Sequence, residues 1–159
     1  MALILSGDAG ITFPVTAGSA SAVQASSGRV LQVIQANLSS TFSTTSSSYQ
    51  DTGLSASITP SSASSKVLAF LCAHGGQSNS GRSAFYNLVR TSTIIREGDN
   101  LQTNTTGSNM PLSLIELDSP STTSSVTYKS QIKTDGVGTM TMTASGNQKS
   151  SIILMEIAA

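Results

Sequence analysis

The sequence predicts an all-β protein, an antiparallel β-sandwich or jelly roll of about eight strands with an extended N-terminal arm. Three observations carry that prediction. Apolar residues recur at every second position: Val126, Tyr128 and Ile132 alternate with Thr127, Lys129, Gln131 and Lys133, which is the period of a half-buried strand. Such runs follow one another at near-regular spacing between Gly, Asn, Asp and Pro turn signals, and no helical period interrupts them. Composition agrees, because Glu, Lys and Arg are scarce while Thr, Val and Ile are plentiful.

A chain of 159 residues is most simply one domain with one substantial core. Only 10% of it is charged, and Lys+Arg 8 balance Asp+Glu 8. Low charge argues against the disordered class and removes the electrostatic footprint of a nucleic-acid binder. Cys72 is the only cysteine, so no intramolecular disulfide can form. The N-terminal apolar run, Leu3-Ile4-Leu5, is too short for a signal peptide or a membrane span. Synthesis in the cytoplasm, with no nucleic-acid or membrane partner and no cofactor, is therefore expected.

Taken in order, residues 1–27 read as an arm. Leu3, Ile4 and Leu5, then Ile11 and Phe13, form two apolar patches among glycines, followed by a stretch of Ala, Ser, Gly and Val that can bury little alone. Each patch is expected to add a short strand to an exposed sheet edge. Residues 28–159 are the expected sandwich. Val30 to Leu38 is a strand, Ser39 to Ser48 a flexible loop or edge, and Leu54, Ala56 and Ile58 mark a strand ending at Pro60. Lys66 to His74 is a core strand and Gly75 to Arg82 a loop. Ala84 to Thr91 and Ser92 to Glu97 form a hairpin, Gly98 to Asn109 a surface loop, and Met110 to Leu117 another strand. The last three strands are expected to be joined by tight turns, with Ile152-Ile153-Leu154-Met155 central.

Three of these strands, the first, the Leu112 to Leu117 run and the last, are apolar on both faces. A two-layer sandwich buries only one face of each sheet. The second face asks for a partner: a copy of the same chain is the simplest one, and a loop or the N-terminal arm is the alternative cover. Ile152, Ile153, Leu154 and Met155 are thus the candidate oligomer interface.

Catalytic candidates are thin. Cys72 and His74 share one strand face with Leu68 and Phe70, so a thiolate–imidazole pair is conceivable, but no third orienting group is visible and a buried structural cysteine is the simpler expectation. Asp8, Asp51, Asp99, Asp118 and Asp135 are read as turn residues. Tyr49, Tyr86, Tyr128 and Arg90 could line a sugar-binding surface, though core and edge packing explains them more simply. No metal-ligand pattern occurs.

The run from Tyr49-Gln-Asp-Thr-Gly-Leu-Ser through Ile58-Thr-Pro60 to Ser65-Lys-Val-Leu68 resembles a pattern of bacteriophage virion proteins, especially those of phages infecting cyanobacteria and marine bacteria. Leu117-Asp-Ser-Pro120, Thr127-Tyr-Lys129 and Ile153-Leu-Met-Glu-Ile157 are similar to that family's closing strands, and Val30-Leu-Gln-Val33 to its opening one. The resemblance implies a non-enzymatic structural domain of tail fibres, appendages or capsid surfaces, a trimeric β-sandwich located in the virion. The absence of a shaft, repeat or coiled coil favours a capsid decoration or cement protein, its arm gripping the major capsid protein or a neighbouring subunit. A tail-fibre protein or an adhesin for a host surface glycan is the alternative.

Overall fold

The structure is a computed structural model; it describes residues 28–102, 109–146 and 148–159, with the backbone of residues 4–6 and 10–12. Thirteen strands are described: β1 (Ile4–Ser6), β2 (Gly10–Thr12), β3 (Val30–Asn37), β4 (Phe42–Thr44), β5 (Gln50–Ile58), β6 (Lys66–Gln77), β7 (Ser83–Arg90), β8 (Thr93–Glu97), β9 (Leu101–Gln102), β10 (Met110–Asp118), β11 (Val126–Thr134), β12 (Met140–Met142) and β13 (Ser151–Ile157). There is no helix among the described residues, as composition predicts.

Eleven of these strands form two antiparallel sheets that close as a sandwich. In the first, β13 pairs with Lys66–Cys72 of β6 while β12 pairs with Gly75–Gln77 of the same strand. Both lie along one edge of β6, so β12 and β13 run end to end in a single row. Beyond them β4 and β3 do the same, and β10 takes the other edge of β6. The six strands thus fill four rows. The second sheet has the order β5–β11–β7–β8, with β9 continuing the β8 row. Numbered along the chain, the eight rows read 1-8-3-6 and 2-7-4-5, the order of a jelly roll.

Alternation builds the core. Leu54 and Ile58 from β5, Val67 and Leu71 from β6, Leu88 from β7 and Leu112 from β10 all point inward and are at most 1% exposed. Tyr128 and Ile132 from β11, Met140 and Met142 from β12, and Ile152 and Leu154 from β13 complete it, each wholly buried. Each such aliphatic side chain stabilises by roughly 1.5–3 kcal/mol.

The structure corrects several expectations. The last three strands are not one meander: β11 belongs to the second sheet, while β12 and β13 share a row of the first. Its final strand is nevertheless interior, between β3 and β6. The expected loop at Gly75 is strand, because β6 runs on to Gln77 to pair with β12. Glycine is required there, since a Cβ on Gly75 would collide with the Thr141 carbonyl oxygen. The short strand β4 realises the edge alternative for Ser39 to Ser48, whereas β9 falls in a segment read as a surface loop. Within the N-terminal segment Leu5 lies opposite Ile11 and Ile4 opposite Thr12; Leu3 and Phe13 lie outside the described residues.

Candidate functional site

Polar groups inside the sandwich are tied up by structure. Glu156 faces inward from β13 and is fully buried. Its Oε1 accepts hydrogen bonds from the Ser61 amide (2.7 Å) and hydroxyl (2.6 Å), and its Oε2 from Gln32 Nε2 (2.6 Å). Burial raises the carboxyl pKa, but the donors on Ser61, Gln32 and Ser65 outweigh it and hold the group at about 2. The result pins the loop after β5 to the last strand.

Asp118, at the end of β10, ties the two sheets together. It accepts from Arg90 on β7 (2.8 Å) and from the Tyr128 hydroxyl on β11 (2.7 Å). Burial, followed by the Asp118 carboxylate, pushes the Tyr128 phenol far above its usual range, with Arg90 acting the other way. Asp118 and Glu156 flank Val67 in register, so their backbones stand roughly 10 Å apart. Each carboxylate is engaged by its own donors. Glu156 went unremarked in the sequence, although the spacing Ile152, Leu154, Glu156 was the signal that it faces inward.

Among the acids read as turn residues, Asp135 behaves as expected, accepting from the Ser83 (3.2 Å) and Val137 (3.0 Å) amides. Asp51 and Asp118 instead belong to strands, and Asp51 bonds Lys129 and Gln131, each at 2.7 Å. Tyr86 and Tyr128 are buried, while Tyr49 lies under the Lys133 ammonium, 4.5 Å from its ring centre. Tyr86 and Tyr128 thus pack inside, while Tyr49 is half-buried at an edge. No group of three or more His, Cys, Asp or Glu side chains among the described residues could hold a metal ion.

Cys72 is not a core residue. Even-numbered residues of β6 point away from the sandwich, and Cys72 is exposed, between Ser113 on β10 and Ser151 on β13. His74 lies on the same outer face. Its amide donates to Ser150 Oγ (3.2 Å), its carbonyl accepts from the Thr143 amide (2.8 Å), and its buried Nδ1 has no partner among the described residues. Nothing described orients that ring towards the thiol.

The most distinctive surface is the outer face of the first sheet. Register sets Val33, Met155, Leu68 and Leu117 side by side across all four rows. The next line holds Gln35, Ile153, Phe70 and Ile115, and the one after it Asn37, Ser151, Cys72 and Ser113. Val33 is 55% exposed, Ile115 56% and Leu117 50%. One half of the face is therefore an apolar sheet surface that no described residue covers. The strands read as apolar on both faces are all in this sheet, brought together by long-range pairing. Of the four expected interface residues, Ile152 and Leu154 are sealed in the core, 0% exposed, and only Ile153 and Met155 can meet another molecule.

The other half is polar. Gly76, Gln77, Ser78, Asn109, Thr139, Thr141 and Thr143 line an open groove of about 270 Å³. Thr141 sits opposite Gly76, which lacks a side chain and so lowers the floor. Between β12 and β13 the chain leaves the row and returns, closed at its base by the Ser150 hydroxyl bonding the Thr143 carbonyl at 2.7 Å. Asn109 reaches that excursion through Gln148 (2.6 Å) and walls the groove on that side.

No family model matches the chain, and no curated protein matches it in sequence. Similar solved structures include one of the infectious bursal disease virus Gx strain, at 16% identity and TM-score 0.48 over 84% of this chain and 33% of that one. Infectious bursal virus derived T=1 particles give 17%, 0.45, 99% and 44%, and the Gt strain of infectious bursal disease virus 17%, 0.44, 99% and 47%. The chain spans less than half the length of each of these. Likenesses this distant carry no functional argument.

Proposed function

We propose that this chain is a non-enzymatic virion structural protein, a capsid decoration or cement protein that assembles as a homo-oligomer, with a trimer implied by the phage resemblance. The carrying observation is the apolar half of the outer sheet face, a surface that a soluble monomer rarely leaves open. A second copy of the chain suits it. Equal numbers of acidic and basic residues let identical copies approach without net repulsion.

The face is nevertheless small. Four rows about 4.8 Å apart and five residues of about 3.3 Å give roughly 300 Å² in projection, against about 800 Å² per partner in a stable interface. Further contact has to come from elsewhere, and residues 1–27 are the segment suited to supply it, on a neighbouring subunit or on the shell. Many weak attachments around a symmetric particle then add through avidity.

The test is to remove residues 1–20 and mix the purified protein with undecorated shells and with isolated tails. The expected outcome is a folded protein that no longer joins shells, whereas the full chain does. Undiminished shell binding by the truncated protein, or binding of the full chain to tails alone, refutes the cement reading.

A further inference from the structure

We infer that the groove over Gly76 is a binding site for a neutral saccharide, a role independent of where on a particle the protein sits. Every lining side chain is a hydroxyl or a carboxamide, apart from glycine, and none is charged. An anionic ligand would find no cation there, and a metal ion would find no carboxylate. An apolar ligand would strip water from these polar groups and return no hydrogen bond. A sugar offers what they need, alternating donors and acceptors on a compact ring.

The groove is already organised for such a ligand. The Ser78 amide donates to the Thr139 carbonyl at 2.9 Å, and the Thr139 amide donates to Ser78 Oγ at 2.9 Å, locking two lining residues together. Thr141 Oγ1 is fixed by Ser43 Oγ at 2.9 Å. Asn109 spends its amide nitrogen on Gln148 and Thr143, while its carbonyl oxygen and the Thr139 hydroxyl make no hydrogen bond among the described residues. Both residues line the groove, and these two groups are what they can offer a ligand. Gln77, buried beneath, is held by the Ser83 (3.3 Å) and Val137 (3.2 Å) carbonyls and does not need the ligand.

At about 270 Å³ the groove falls below the ~300–1,000 Å³ of drug-sized sites, so it fits one or two sugar rings. It has no aromatic platform for stacking, and the single-site dissociation constant is expected on the order of millimolar. Repetition on an oligomer or particle would lower the apparent constant into a useful range.

The experiment titrates 15N-labelled protein with glucose, galactose, mannose and N-acetylglucosamine to about 50 mM, with inorganic phosphate and acetate as charged controls. The expected result is a saturable shift from at least one sugar, confined to the amides of Gly76, Ser78, Asn109, Thr139, Thr141 and Thr143. Asn109→Ala combined with Thr139→Val should weaken it at least about fivefold, with changes in the variant's own spectrum confined to the groove and to Gln148. Should the double variant unfold, Asn109→Ala alone decides, since Asn109 is an exposed residue before β10. The inference is overturned if no sugar saturates, if shifts map elsewhere, if the variants bind normally, or if the charged controls move the same amides. Shell binding is measured separately, so failure of either reading leaves the other standing.

Discussion

Replacing Glu156 tests how the two ends of the sequence are tied together. Glu156→Leu keeps approximate volume but leaves the Ser61 amide, the Ser61 hydroxyl and Gln32 Nε2 without their acceptor. Hydrogen bonds to a charged group contribute about 1.5–3 kcal/mol each, and the cost of burying the carboxylate offsets several kcal/mol of that sum. The net loss should be about 3–5 kcal/mol, or roughly 10–15 °C in Tm for a domain of this size. Glu156→Gln is milder. Its amide oxygen can keep the Ser61 bonds, and Gln32 can turn its own oxygen to the new NH₂ at the expense of its 2.8 Å bond to the Thr59 carbonyl, which water can reach. About 1–2 kcal/mol is expected.

The pH dependence separates this account from simple packing loss. Folding depresses the Glu156 pKa from 4.5 to about 2, so the folded state favours the ionised form. Its contribution is fully present above about pH 4.5 and disappears as pH falls towards 2. Thermal melts of wild type and Glu156→Gln from pH 7 to 2.5 should therefore show a gap that is constant above pH 5 and narrows below it. A gap that stays constant throughout, or a Glu156→Leu protein as stable as wild type, refutes the reasoning.

Ile153→Lys and Ile115→Lys on the outer face should leave Tm within about 1 °C of the wild-type monomer's while dissociating the oligomer in sedimentation, because exposed substitutions cost little. Ile152→Asp, one position away, should abolish folding by placing an unpaired charge in the core. Cys72, exposed beside the apolar half, should react slowly with a bulky maleimide in the assembled protein and faster in Ile153→Lys; equal rates would place the interface elsewhere. Gly75→Ala should lose about 1–3 kcal/mol in denaturant unfolding as the new methyl pushes β12 away from β6. Stability equal to wild type would mean that this close approach relaxes freely.

Much of the sandwich was legible because strand alternation is a local property. The pattern at Val126, Tyr128 and Ile132 says which side chains turn inward whatever sheet the strand joins, and all three are buried. Two-faced apolarity in the first strand, the Leu112 to Leu117 run and the last strand likewise announced a face beyond the core. The same parity rule, applied strictly to β13, would have removed Ile152 and Leu154 from the interface and placed Glu156 inside. Cys72 was misread because residue-type preference was allowed to outweigh the strand's two-sidedness.

By itself, then, the sequence determined an all-β chain, the position of most strands and the alternation within them, since these follow from backbone period and turn chemistry over a few residues. Only the tertiary structure decided which sheet each strand enters, that β12 and β13 share one row along β6, and that Lys66–Gln77 continues as strand through two glycines. Those choices depend on hydrogen-bond partners tens of residues away, such as Thr141 for Gly76 and Met155 for Leu68. The candidate surfaces depend on the same pairings. A groove over Gly76 and an apolar line from Val33 to Leu117 are properties of adjacent rows, and adjacency between rows is not written in the spacing of residues along any one strand.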